Sequence, residues 1–82
     1  HMQTMSVSEA RAAVVRGAVI SASIHEAPAG EGWTLSLSGG QHDRIFVETT
    51  RSRSLKIYRR IDAAMNDVSA LGLKTASVIL GK

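Results

Sequence analysis

Apolar and polar residues change their rhythm several times along the chain, and each change marks an element. In "SVSEARAAVVRG" Ala10, Ala13 and Val14 recur at helical spacing while Arg11 and Arg16 fall on the other side. Ser6 or Ser8 serves as a cap, Glu9 sits in the first turn and Gly17 is a stop, so a short helix is predicted over about 8–16. Its apolar stripe is narrow, which suits late docking on the core or packing against a partner.

From Ala18 to Glu26 the period becomes two, with Ile20, Ala22 and Ile24 opposed to Ser21, Ser23 and His25. "APAGEG" then supplies a turn, and Trp33, Leu35 and Leu37 alternate with Thr34, Ser36 and Ser38 in a second strand. These two segments read as a hairpin. After "GGQHD", the β-branched and aromatic "RIFVETT" predicts a third strand, with either Ile45 and Val47 or Phe46 facing the core. Leu55 to Tyr58 fits a short fourth strand, and a helical start at Leu55 competes with it. Ile61, Ala64, Met65, Val68 and Leu71 then form one helical stripe that Asp62 opens and Gly72 closes. "KTASVIL" returns to alternation and predicts a last strand within or beside the sheet.

The expected fold is α+β: a mainly antiparallel sheet of four or five strands, one long helix packed on it and a short N-terminal helix, in the order α-β-β-β-(β)-α-β. At 82 residues a single domain spanning 1–82 is expected. His1-Met2 has the form of a tag remnant, so residues 1–5 are expected to be that remnant and a flexible N-terminus. A chain of this length hides only about 60 to 65% of its unfolded surface, which favours self-association as a supplement to stability. The Ser- and Thr-rich outward positions of the strands suit water, a nucleic-acid backbone or a second subunit.

Composition narrows the chemistry. The chain has no cysteine, which removes disulfides and thiolate zinc sites and makes a cytoplasmic address the default. No run approaches the length needed to span a bilayer, so no membrane partner is expected. With His1 set aside, His25 and His42 remain, each beside an acid and each near a different turn. They are too few and too dispersed for a metal centre or for acid–base catalysis, so the expectation is a non-enzymatic protein without a cofactor. The glycines of "GEG" and "SGG" match no phosphate-loop spacing. "DVSALGLKTASVILGK" resembles a helix-turn-helix only superficially, since Val68 is too large for the close helix contact and the second segment is β-branched.

Ten Lys and Arg against seven Asp and Glu give a formal charge of +3, and the excess gathers between Arg44 and Arg60. Arg51, Arg53, Lys56, Arg59 and Arg60 are the candidate nucleic-acid-binding residues, with Arg59 and Arg60 placed where a helix start also attracts anions. The alternative is a solvated basic loop paired with Glu48, Asp62 or Asp67. Phe46 and Tyr58 are the candidate interface residues, a small exposed aromatic pair suited to a dimer seam.

"ISASIHEAPAGEGWTLSL", the basic segment after it and "IYRRIDAAMNDVSALGLKTASVIL" together resemble small proteins carried by plasmids and integrative elements of proteobacteria, the ParC-type partition-associated proteins. The likeness covers most of the chain. Its features here are the "SIHEAP" and "GW" pieces of the hairpin, Tyr58, "IDAA" and Leu71-Gly72. Such proteins often have a small capping residue before the long helix, where this chain has Arg60. The resemblance implies an accessory role in plasmid maintenance or partition, with DNA or a partition or replication protein as partner and a homodimer as the working form. A protein-interaction module, a homodimeric adaptor or inhibitor that never touches nucleic acid, is the alternative; its contact would be the exposed sheet face and Phe46.

Overall fold

The computed structural model describes residues 3–40, 42–49 and 54–81, with His42 and Asp43 described in their backbone only. The chain runs β1 (Thr4–Met5), α1 (Val7–Val15), β2 (Ser21–Glu26), a single 3-10 turn (Pro28–Gly30), β3 (Trp33–Gly39), β4 (His42–Val47), α2 (Ile61–Ala70) and β5 (Ser77–Ile79).

Local chemistry sets the first helix. The Ser6 hydroxyl accepts from the Glu9 amide at 3.2 Å, and the Glu9 carboxylate accepts from the Ser6 amide at 2.9 Å. Two otherwise unpaired donors are thereby satisfied at once. Gly17, at φ 80°, takes the left-handed turn that ends the helix. Ala10 and Ala13 are fully buried, so this weakly amphipathic helix docks on its own core. Their small side chains let its backbone approach the sheet closely.

The five strands form one sheet in the order β1-β4-β3-β2-β5. β2 and β3 pair antiparallel from Ser21 opposite Ser38 to Glu26 opposite Trp33, and β3 pairs antiparallel with β4. Both edges are parallel: β1 lies beside β4 and β5 beside β2. The α+β class therefore holds, and the expected antiparallel pairing makes up the centre of the sheet, with the two parallel edges making the whole mixed. Each parallel edge arises because a helix carries the chain across one face before the next strand begins.

Ile24 from β2, Leu35 and Leu37 from β3 and Val47 from β4 point to the helix side, where Ala64, Val68 and Leu71 close the core over them. Ile45 is buried with Val47, which decides the inward face of β4 and leaves Phe46 on the other side. Trp33 is half-buried and packs against the same cluster.

Several expectations are corrected. Thr4 and Met5, expected to be flexible, form an edge strand: the Glu48 amide donates to the Met5 carbonyl at 2.9 Å, and the Thr4 hydroxyl donates to the buried Glu48 carboxylate at 2.6 Å. The fourth strand at 55–58 is reduced to two isolated bridges, Glu48 with Leu55 and Trp33 with Tyr58. Ile20 is 68% exposed although its amide donates to the Ser38 carbonyl at 2.9 Å, because Val19 takes the inward position before it, and Met65 is 47% exposed because it lies at the margin of the helix stripe.

Candidate functional site

Both helices lie on one side of the sheet, so the opposite face is bare of secondary structure among the described residues. Alternation along each strand fixes what that face carries. Ser23, Ser36 and Phe46 form one row across β2, β3 and β4, with His25 and Thr34 in the next and Ser21 and Ser38 in the one before. Arg44 lies two residues before Phe46, where the β3–β4 register shifts, and its charge reaches His25; Ser77 and Ile79 of β5 extend the rows beyond Ser23 and His25.

His25 is the centre of this face. Its Nε2 lies 2.8 Å from the Ser36 Oγ, and its ring is 6.0 Å from that of Phe46 at an angle of 50°. That separation and tilt fall in the favourable range for aromatic pairs. Burial, and then the positive charge of Arg44, lower the pKa of His25 below its ordinary value, so the imidazole is neutral at neutral pH. Ser36 is only 2% exposed. A hydroxyl closed off in this way orients the ring and is not available to attack a substrate. The face presents two neighbouring rings, one exposed guanidinium, the accessible hydroxyls of Ser21, Ser23 and Ser77 and, toward β1, the buried Glu48 carboxylate that Thr4 holds, a set better furnished for binding than for catalysis.

The residues expected to contact phosphate have other arrangements. Lys56 Nζ is 3.1 Å from Asp67 Oδ2 and stands 4.9 Å from the centre of the Tyr58 ring. Arg60 Nε is 3.2 Å from Asp62 Oδ1 in an exposed pair. Arg59 is exposed beside Glu31 and Ile57 at a shallow groove. Arg51 and Arg53 lie outside the described residues. Lys56 and Arg60 thus take the carboxylate-paired form that was the alternative from sequence.

The start of α2 also differs from the anion site expected there. Arg60 gives no side-chain cap. The Asp62 carboxyl is held below its usual range by its hydrogen bond with Arg60, and in smaller part by the amides of Asp62 and Ala63. A carboxylate of the chain itself already faces the first amides of the helix.

Tyr58 is corrected from interface to core. It is 4% exposed, its backbone pairs with Trp33 in both directions at 2.7 Å, and its hydroxyl donates to Asp67 Oδ2 at 2.5 Å. Burial first, then the hydrogen bond and charge of Asp67, raise its pKa far above the ordinary tyrosine value. Phe46 and Tyr58 consequently lie on opposite sides of the sheet.

The partnership of His25, Ser36, Arg44 and Phe46 was not recognised from sequence. Period-two alternation was the available signal, but only the register shows which outward residues become neighbours. Among the described residues no group of three His, Cys, Asp or Glu is placed to hold a metal ion, and no helix is long and apolar enough to cross a membrane. Comparison with family models, curated proteins and solved structures gave no match, so the functional reading rests on the chemistry of this face.

Proposed function

We propose that the chain is a non-enzymatic nucleic-acid-binding accessory protein that holds a single strand against the open face of its sheet. The observation that carries this reading is the placement of His25, Phe46 and Arg44 together on a face without covering helices. Unpaired bases stack on aromatic rings with little regard to sequence, and a guanidinium beside the rings serves the backbone phosphate. Ser21, Ser23 and Ser77, the accessible hydroxyls of β2 and β5 on this face, offer hydrogen bonds to phosphate and sugar, contacts that position a strand without reading its bases. A neutral His25 stacks without the desolvation cost of a charged ring. The resemblance to ParC-type partition-associated proteins supplies the context, maintenance of a plasmid or integrative element in the cytoplasm.

The test is a titration of labelled single-stranded and duplex DNA at two salt concentrations, using the wild type, Arg44→Gln and Phe46→Ala. Single-strand binding should weaken with salt, with a log–log slope of about −0.7 per phosphate contact. Phe46→Ala should weaken it by about 1–3 kcal/mol, the worth of one stacked base. Binding that ignores both substitutions, or no binding at all, rejects the proposal. An Arg51→Glu, Arg53→Glu variant in the same series measures what the basic connection adds.

The second reading is the protein-interaction module. It is favoured by the engagement of Lys56 and Arg60 with aspartates, which leaves fewer free cations for phosphate. It predicts no nucleic-acid affinity and a protein partner on the same face, lost in a Phe46→Glu variant.

A further inference from the structure

Four of the large apolar side chains that remain exposed lie on or beside the β5 edge: Met65 at 47%, Val78 at 45%, Ile79 at 41% and Leu80 at 69%. Beside them is a groove of about 330 Å³, lined chiefly by Ile24, Met65, Val68, Leu73, Ala76 and Val78. The opposite edge of the sheet is different. β1 has only two residues, both half-buried, and is fastened by Glu48.

The hydrogen-bond parity of β5 follows from its neighbours. The Ala27 amide donates to Gly32 at 2.8 Å in the same register that sets His25 opposite Thr34, so the odd-numbered residues of β2 direct their backbone groups toward β3. Ala22, Ile24 and Glu26 therefore serve β5. With Ile24 opposite Val78, the β5 residues that bond to β2 are Ser77 and Ile79. The amide and carbonyl of Val78 point away from the sheet.

We infer that this edge is the interface for a second copy of the chain, two β5 strands pairing antiparallel about a two-fold axis at Val78. The edge is complementary to itself. Val78 offers one outward donor and one outward acceptor, which two-fold symmetry matches with the same groups of the partner. Residues 76–80 carry no charge, so no like charges face each other within the strip itself, Lys74 of the groove lying two residues outside it, whereas a charged peptide would find no counter-ion in the strand. None of the usual guards of an open edge, a lysine, a proline or an inward charge, occurs among these residues. About Val78, Leu80 of one copy lies opposite Ala76 of the other on the helix side, at the groove that Ala76 lines. Pairing would join two five-stranded sheets into one and set two open faces side by side. The inference does not depend on what those faces bind.

Sedimentation equilibrium and amide exchange test it together. The wild type should form a dimer in which the Val78 amide is protected, and that protection should disappear on dilution to monomer. Val78→Pro removes a donor that β2 does not use, and Leu80→Lys places a charge on the strip. Each should raise the dissociation constant by ~10-fold or more, and Leu80→Lys should leave the circular dichroism spectrum unchanged. A wild type that stays monomeric, including one that binds neutral lipid vesicles instead, overturns the inference. So does a dimer whose Val78 amide exchanges as freely as in the monomer, or one that survives Leu80→Lys unchanged.

Discussion

The hydroxyl of Tyr58 and the ammonium of Lys56 converge on one oxygen of Asp67, at 2.5 and 3.1 Å. This joins the segment before α2 to the helix itself and turns a basic residue and an aromatic one into structural parts. Removing the hydroxyl by Tyr58→Phe should cost about 1.5–3 kcal/mol, the range for a hydrogen bond to a charged group, measured by urea denaturation. Arg60→Ala, which breaks only an exposed pair, should leave the urea midpoint unchanged.

The same contact predicts an alkaline limit. The folded chain holds the Tyr58 proton more tightly than the unfolded chain, in which tyrosine titrates near 10.0. Its contribution is fully present below that pH and is lost progressively as the pH rises above it. Thermal unfolding from neutral to strongly alkaline pH should show this decline in the wild type, and Tyr58→Phe should show a shallower one.

His25 gives the opposite slope at the acid end. Its pKa lies below the ordinary 6.5 through burial first and Arg44 second. The unfolded chain therefore takes up the proton at a higher pH than the folded one. The contribution of this residue is present above 6.5 and falls as the pH drops through the folded value. Proton NMR should find the His25 midpoint below that of a free histidine. In Arg44→Gln it should rise part of the way, because burial remains.

β1 should matter more than its two residues suggest. Thr4→Val leaves the buried Glu48 carboxylate with one donor fewer, at a cost of about 1.5–3 kcal/mol. Deleting residues 1–5 should cost more, since the backbone bond from Glu48 to Met5 goes as well. A deletion with unaltered stability would mean that β1 does not hold the sheet in solution.

Gly39 tests the close approach of two segments at the irregular end of the β3–β4 ladder. A Cβ at this position would run into the backbone carbonyl of Ala18. Neither side can swing away as a flexible side chain would, so Gly39→Ala should destabilise by about 3 kcal/mol in the same urea assay.

The elements legible in the sequence are those whose signals are local. α2 announces itself by its stripe and Gly72, and α1 by Ser6, Glu9 and Gly17. The β2–β3 hairpin shows in alternation on either side of a glycine-rich turn. β1 has no such signal, since two residues cannot display a period and only Glu48 and Phe46, far along the chain, make a strand of them. The parallel edges were hidden for a related reason: alternation tells that a segment is extended and does not tell which neighbour it joins. The basic run was easy to count and hard to interpret, because whether Lys56 is free depends on Asp67, nearly two turns into α2, facing back toward it. The cluster of His25, Arg44 and Phe46 was concealed by its register, although each of the three residues was plain to see.

The arrangement of the sheet also orders the events by which it can form. Its central strands join through short turns, whereas Thr4 must find Phe46 and Ser23 must find Ser77 across long stretches of chain. Closing such distances is slow compared with closing a hairpin. On a ribosome, β2 would leave the exit tunnel well before β5 and stand for that interval with its outer side unprotected. The pairing that finally covers that side is thus the last one the growing chain can make.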